Sequence, residues 1–254
     1  AGFSDDKEYL CLALALWNGA DPIIKERLFG LNNAEGNHGE DVKEYYFYLD
    51  NTPTHSWMEW LYKYPQARFP YEKLVEENRR RGAHDMEYEL LDTGVFDQNR
   101  YFDVFVRYAE TSPEDVFIEI EAHNRGPDVA ELHLLPHLWF RNTWSFDGKQ
   151  SERPRLRTGP RGAGYTSVKA DQTPSIHGSK NDYQLEPRWL YAQGAGEWWF
   201  TENESNTERL FNQPNSGLFV KDAFHRCLVE GKTAAVNPQL VGTKAAVHYR
   251  ATIP

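Results

Sequence analysis

Cysteine is scarce in this chain, with Cys11 and Cys227 as the two examples among 254 residues. Two cysteines cannot build the disulfide framework that is typical of small secreted proteins. Both lie among apolar or mixed strand-like residues, so we predict buried free thiols, while a single bridge between them stays open. The low cysteine content favours a reducing compartment and therefore predicts a cytoplasmic location.

Basic residues are in deficit as well. The chain has 28 lysines and arginines against 38 acidic residues, which gives a formal net charge of -10. A protein that binds nucleic acid needs a basic surface to neutralise phosphates, so no nucleic-acid partner is expected. The densest basic run, residues 79–81, lies beside Glu76 and Glu77 and is predicted to be a solvated helix end.

Long apolar segments are missing too. The longest apolar run, residues 10–17, is too short to span a bilayer. It also lacks the basic region and the cleavage site of a signal peptide, so no membrane partner is expected. A strand pattern starts almost at the first residue and another runs up to the last one. These two patterns predict that the chain is a fragment of a longer protein.

The common catalytic motifs are absent. The sequence contains no nucleophile elbow, no dinucleotide-binding glycine run and no phosphate loop. His38 with Glu40 and Asp41 could in principle bind a divalent cation, but their spacing matches no helical zinc motif and no second histidine pair lies at ligand spacing. No spacing among the acidic residues marks a catalytic acid and base. We therefore predict no catalytic residue, no metal site and no cofactor in this chain.

The sequence is rich in short alternating segments. Apolar and polar residues alternate over residues 102–108, 116–123 and 130–134, with turn residues between them. This period of two predicts three consecutive antiparallel strands, each with one solvent-facing side. The other predicted strands are residues 9–17, 25–31, 42–49, 56–64, 163–170, 189–192, 197–201, 224–229 and 245–253.

Residues 71–81 have a helical pattern, because Tyr71, Leu74 and Val75 share one side. Pro70 suits the first helical position, and Gly82 follows where a left-handed stop is expected. Residues 148–164 are rich in Gly, Pro and Arg and are predicted to be a loop. The whole pattern predicts a mainly-β fold, a large antiparallel β-sandwich of the super-sandwich type with one or two short helices. We expect a single domain over residues 1–254.

Two segments are candidates for binding. Residues 32–41 combine glycines with Asn37, His38 and Glu40. This segment is either a polar loop with internal hydrogen bonds or a loop that borders a sugar-binding surface.

The second candidate is the segment around Trp139, Arg141 and Trp144. Tryptophan faces can stack on the C–H groups of a sugar ring while polar side chains bind its hydroxyls. The alternative is that both tryptophans belong to the core, since tryptophan is usually mostly buried. In the pair Trp198 and Trp199, strand alternation predicts one core side chain and one open side chain.

Several longer segments carry a family resemblance. They are LFGL at 28–31, GNHGEDVKEYYFYLD at 36–50, TPTHS at 52–56, LYKYPQ at 61–66, YELLDTGVF at 88–96, LWFRNTW at 138–144, TENESNTERLF at 201–211 and GTKAA at 242–246. These segments are similar to the N-terminal region of large bacterial proteins that resemble glycoside hydrolase family 63, the mannosyl-oligosaccharide glucosidase group. The resemblance covers essentially the whole chain.

The resemblance implies a two-part enzyme in which a β-sandwich precedes an (α/α)6 barrel. That family hydrolyses α-glucosidic bonds with inversion, using one carboxylic acid and one carboxylate, and both lie on the barrel. No catalytic residue can therefore be transferred to this chain. The implied partner is the C-terminal helical barrel of the same full-length protein, and a gluco-oligosaccharide is a further possible ligand.

Two other functions stay open at this point. An independent carbohydrate-binding module would use the same aromatic residues without a barrel. A sandwich-type sugar epimerase acting alone would need a histidine and a carboxylate that converge in one pocket.

Overall fold

The computed structural model describes residues 2–26, 44–145, 153–171 and 185–254. Its strands are β1 (Gly2–Ser4), β2 (Leu10–Trp17), β3 (Tyr45–Asn51), β4 (Trp57–Pro65), β5 (Tyr101–Ser112), β6 (Asp115–Asn124), β7 (Ala130–Phe140), β8 (Arg155–Thr158), β9 (Tyr165–Asp171), β10 (Arg188–Gln193), β11 (Glu197–Thr201), β12 (Val241–Gly242) and β13 (Lys244–Ile253). Its α-helices are α1 (Tyr71–Arg80), α2 (Thr207–Phe211) and α3 (Ala223–Leu228), and short 3-10 turns occupy Leu91–Thr93, Asp97–Asn99 and Thr233–Ala235.

The fold is mainly β, as predicted, and the strands form three antiparallel sheets. The described α-helices are three short ones instead of the one or two expected. Residues 16–133 and 250–254 form one compact unit, and residues 2–15 and 134–249 form another. Because a domain is defined by whether it can fold alone, the single domain over residues 1–254 stays a prediction.

The first unit is built around the sheet β3-β4-β5-β6. On one face of β4 the aromatic rings of Trp60, Tyr62 and Tyr64 follow one another, with centroids 6.1 and 5.6 Å apart, and all three are buried. On the other face Arg107 of β5 forms ion pairs with Glu59 and Glu119 on the two adjacent strands, at 2.6 and 2.8 Å. One apolar and one charged face explain the alternation seen in the sequence.

Helix α1 packs beside this sheet through Leu74, which is fully buried with Phe69, Tyr88 and Leu90. The buried Asn78 amide donates to the Tyr88 carbonyl and accepts from its N–H at 3.0 and 2.8 Å. The helix prediction is confirmed, but Pro70 is the N-cap and not the first helical residue, and Gly82 is not the left-handed stop. The chain leaves α1 at Arg81 in an extended conformation, with φ -85° and ψ 138°.

Of the predicted meander of three antiparallel strands, the pairing of the first two is confirmed and the position of the third is wrong. β5 and β6 are paired from end to end, but β7 does not follow β6 in that sheet. It lies between β2 and β13 in the five-stranded sheet β1-β2-β7-β13-β11. Alternation defines which face of a strand is buried and carries no information on its neighbours, so the pattern could not reveal this change of sheet.

In the second unit, β11 is covered on both faces. Trp198 donates to Thr166 of β9 at 2.9 Å, and β9 belongs to the four-stranded sheet β10-β9-β8-β12. Trp199 points the other way, with its ring 4.4 Å from His248 and 6.3 Å from Phe224 of α3. Both tryptophans are buried. The expectation that one of them is open was wrong because α3 covers the second face.

Two other local predictions fail, and the remaining predicted strands are confirmed in their described residues, with the exception of 25–31. Residues 224–229 belong to helix α3 instead of a strand, with Ala223, Phe224 and Cys227 buried along one side. The predicted loop 148–164 contains β8, while residues 146–152 lie outside the described part of the chain. Of the predicted strand 25–31, the structure describes Lys25 and Glu26, and Lys25 forms an isolated β-bridge with Leu16. Residues 27–43 lie outside the described part of the chain.

Both cysteines are free, Cys227 is buried and Cys11 is half-buried, so no disulfide joins them. Burial raises the pKa of the Cys11 thiol to about 11. No helix among the residues that the structure describes is long and apolar enough to cross a membrane.

Candidate functional site

The structure separates the two sets of predicted binding residues. Asn37, His38 and Glu40 lie outside the described residues. Trp139 is half-buried in β7, with its ring edge-on to His137 at 4.9 Å, and the exposed Arg141 is 3.8 Å from Glu8. Trp144 is 7% exposed, so its ring offers no open face for stacking. The sugar platform therefore stays a prediction whose main aromatic residue is buried.

The partner of Trp144 is a carboxylate from a distant part of the sequence. Its indole Nε1 donates to Glu204 Oε1 at 2.9 Å, and Arg153 Nη2 lies 3.1 Å from the same oxygen. The hydroxyl of Ser216 donates to the other oxygen of Glu204. Glu204 itself is 4% exposed. Three donors thus satisfy a buried carboxylate that would otherwise be costly to remove from water.

Glu202 lies two residues earlier, where the chain leaves β11. Its Oε2 accepts a hydrogen bond from Thr243 Oγ1 at 2.7 Å, and the same hydroxyl accepts from the Asn203 N–H at 2.7 Å. Asn142 Nδ2 donates to the Asn203 carbonyl at 2.9 Å. Three loops that are far apart in sequence are joined in this way. We define the Glu202–Glu204 site as Asn142, Trp144, Arg153, Glu202, Glu204 and Thr243.

Each of these loops lies in one of the segments on which the predicted family resemblance is based. Trp144 closes the segment 138–144, the two glutamates belong to 201–211, and Thr243 belongs to 242–246. Sequence reasoning missed Glu202, Glu204 and Arg153 as site residues. The available signal was that the segments 138–144 and 201–211 contain polar or acidic residues next to the ends of β7 and β11, where loops collect functional groups. Arg153 lies in none of the resembling segments, so no such signal marks it.

Gly242 allows the close approach of β12 to β11 on which Thr243 depends. A Cβ atom at this position would lie 2.2 Å from the carbonyl oxygen of Thr201. The missing side chain lets the Thr243 N–H donate to that same oxygen at 3.1 Å. The Thr243 hydroxyl is thereby held between Glu202 and Asn203.

We expect Gly242→Ala to lower the free energy of unfolding by about 1–3 kcal/mol, because the added methyl group forces the two backbones apart. Urea denaturation of both proteins measures the change. Gly217→Ala is the matched control, since its Cβ would have no neighbour within 4 Å. Equal stability of the two variants would contradict the close backbone contact.

The electrostatics single out Glu202. Burial raises the pKa of its carboxyl, and the nearby Glu204 adds to that rise, while the hydrogen bond from Thr243 and the charge of Arg153 oppose it. One of its oxygens receives no side-chain hydrogen bond from any residue that the structure describes. Glu202 is half-buried, in contrast to the closed Glu204. It is therefore the carboxyl of this site that can still accept a hydrogen bond from a ligand.

Glu202→Gln tests this assignment through the pH dependence of stability. A carboxyl whose folded pKa lies above its unfolded value contributes stability below the unfolded pKa, and that contribution is lost as the pH rises through the folded pKa. The glutamine variant has no such loss. We therefore expect its stability to increase relative to the native chain as the pH rises from about 4 to about 7.

The measurement is the urea midpoint of both proteins across that pH range. Glu197→Gln, at an exposed position of β11, is the matched control. A difference between the native chain and Glu202→Gln that moves in the opposite direction would show that the Glu202 carboxylate is stabilised in the folded state.

A second buried cluster lies in the first unit. Lys25 Nζ is 2.5 Å from Glu44 Oε1, and their side chains are 2% and 0% exposed. Tyr62 donates to the other oxygen of Glu44, and the Lys25 ammonium lies 3.4 Å from the ring centroid of Phe69. Burial raises the pKa of Glu44 and lowers that of Lys25. Because this cluster is closed to solvent, we assign it to stability and not to ligand binding.

Neither cluster is a metal centre. No group of three or more His, Cys, Asp or Glu side chains that could hold a metal ion occurs within residues 2–26, 44–145, 153–171 and 185–254.

Comparison with known proteins adds one relative. The chain is similar to the uncharacterized protein YMR196W of Saccharomyces cerevisiae, with 44% identity over 284 aligned positions. The alignment covers all of this chain and 25% of the yeast protein, so the chain spans about a quarter of the length of this relative. No family profile matches the chain, and neither does any solved structure.

Proposed function

We propose that this chain is the non-catalytic N-terminal domain of a glycoside hydrolase family 63-like α-glucosidase. It packs on the helical catalytic barrel of the same full-length protein, and its Glu202–Glu204 site borders the sugar pocket of that barrel. The observation that carries the proposal is the convergence of three resembling segments, 138–144, 201–211 and 242–246, on one small polar site. The yeast relative, which is about four times longer, provides room for such a barrel.

The chemistry of the site suits a supporting role. Glu204 is fully occupied by Trp144, Arg153 and Ser216, so it shapes the loops and is not free for proton transfer. Glu202 keeps hydrogen-bonding capacity, and the Arg153 side chain is 47% exposed beside it. A carboxylate acceptor next to a guanidinium donor can bind sugar hydroxyls, which both donate and accept. The domain thereby influences specificity without performing the cleavage.

The proposal includes a cytoplasmic location and a gluco-oligosaccharide as the substrate of the full-length enzyme. Hydrolysis inverts the anomeric configuration, and the acid and base come from the barrel.

Assays of two proteins test the proposal. We expect the full-length yeast relative to hydrolyse an aryl α-glucoside with inversion, which proton NMR of the released sugar follows. The 254-residue chain alone shows no hydrolysis. Hydrolysis by the isolated chain that is abolished by replacing one carboxylate, or a full-length relative without any glucosidase activity, would contradict the proposal.

One observation favours an independent carbohydrate-binding module as the second candidate. Trp189 and Tyr191 are 45% and 58% exposed on the same side of β10, and Tyr165 of β9 packs edge-on against Tyr191 at 5.6 Å. Exposed aromatic rings on a sheet can stack on sugar rings. Binding of gluco-oligosaccharide that calorimetry detects in the native chain and not in Trp189→Ala would favour this candidate.

A further inference from the structure

An open pocket of about 640 Å³ lies beside helix α2, in the second unit. Its polar lining consists of Glu208, Asn212, Gln213, Asn215 and Arg226, and Leu218 is the main apolar contribution. The volume is in the range of small-molecule sites. All of the lining residues lie between residues 208 and 226 of the second unit.

The pocket has a preformed wall. Helix α2 ends at Asn212, which has a left-handed backbone with φ 55° and ψ 37° and turns the chain away from the helix axis. The Asn215 side chain then accepts hydrogen bonds from Thr207 Oγ1 at 3.2 Å and from the Glu208 N–H at 3.1 Å. Ser216 ties the same loop to Glu204. These bonds hold residues 212–216 in place without using the side chains of Asn212 and Gln213.

Arg226 is the unusual member of the lining. It is half-buried on α3, and its guanidinium forms no ion pair or hydrogen bond with any side chain or carbonyl in the described part of the chain. Arginine is normally paired when it is partly removed from water, since its five N–H donors are costly to leave unused. A guanidinium without a protein partner at a pocket wall indicates that a ligand or water occupies its donors.

The composition of the lining identifies the ligand class. Arg226 and Glu208 have opposite charges, so the pocket favours a neutral ligand over a phosphate. The amides of Asn212 and Gln213 both donate and accept hydrogen bonds, as sugar hydroxyls do. Leu218, which is 87% exposed, offers an apolar surface to the C–H groups of a sugar ring. We propose that this pocket binds a neutral sugar, with Arg226 as its principal hydrogen-bond donor.

This inference goes beyond the proposed glucosidase domain, which makes no claim about sugar binding by the chain alone. It also places the sugar at a site that does not include Trp189 and Tyr191, the residues of the second candidate function. Calorimetry and NMR titration of the 254-residue chain with maltose test it. We expect binding in the millimolar range, and a loss of about tenfold in affinity in Arg226→Met, which keeps the apolar stem and removes the donors. Gln213→Ala, at an exposed position without a side-chain bond to the described residues, weakens binding without affecting the fold.

The matched control is Arg161→Ala, an exposed arginine of the same unit that is outside the pocket lining. It binds maltose as the native chain does. Titration with glycine separates a sugar from a zwitterion that could use the same arginine and glutamate. Absence of maltose binding, equal affinity in Arg226→Met, or binding of glycine in place of maltose would overturn the assignment, and none of these results touches the glucosidase proposal.

Discussion

Replacing Lys25 with methionine lowers the free energy of unfolding at pH 7 by about 3–5 kcal/mol, because it leaves the buried Glu44 carboxylate without its counter-charge. The two side chains are 2% and 0% exposed in the native chain and 2.5 Å apart. Methionine has a similar volume, so the loss reports the missing charge and not a cavity. Urea denaturation followed by tryptophan fluorescence measures it.

The loss depends on pH in a defined direction. Burial raises the pKa of Glu44 above its ordinary value of 4.5, and the charge of Lys25 opposes that rise. Without Lys25 the folded pKa of Glu44 increases further. The stability of Lys25→Met is therefore highest at acid pH, where Glu44 is protonated, and falls as the pH rises through the folded pKa.

Two further variants complete the experiment. Lys25→Met combined with Glu44→Gln removes both charges, and we expect it to recover most of the lost stability, since replacing a whole buried pair is often nearly neutral. Lys73→Met on the exposed side of α1 is the matched control, with a change within about 0.5 kcal/mol. A double variant as unstable as Lys25→Met would show that the ion pair is not what the methionine disrupts.

Prediction from sequence succeeded where one local pattern determines one local structure. The alternation over 116–123 predicts β6 to within one residue at each end, whereas the alternation over 102–108 misses the last four residues of β5. Leu74 and Val75 mark the face of α1. Prediction failed at α3, a short segment in which Phe224 and Cys227 suit either a helix or a strand. For segments of this length tertiary packing outweighs local propensity, and here Phe224 packs on Trp199.

The site was harder to foresee, because its contacts join residues that are far apart in sequence. The sequence marks Trp144 as a candidate sugar-binding residue, but its partner Glu204 follows 60 residues later and no local pattern connects them. The pairing depends on β7 lying in the five-stranded sheet, which places the end of that strand near β11 and β13. Alternation in β7 could not reveal that sheet order, so the contact between Trp144 and Glu204 could not be predicted from the sequence.

Glu204→Ala is the second variant with a large expected effect, a loss of about 3 kcal/mol in the free energy of unfolding. A hydrogen bond to a charged group contributes ~1.5–3 kcal/mol, and a buried donor left without a partner costs ~1–3 kcal/mol. Truncation of Glu204 removes the acceptor of the Trp144 indole, which is only 7% exposed. It also releases Ser216 and Arg153.

Because Glu204 joins three loops, its removal also has a local signature that a general loss of stability does not produce. We expect limited proteolysis of Glu204→Ala to cut within residues 207–218 under conditions in which the native chain is intact. Glu204→Gln keeps an acceptor for Trp144 and therefore loses less stability. Glu197→Ala, which removes an exposed glutamate from β11, serves as the control. Protection of residues 207–218 in Glu204→Ala would show that Glu204 does not hold that loop, and the polar site would then lose its physical basis.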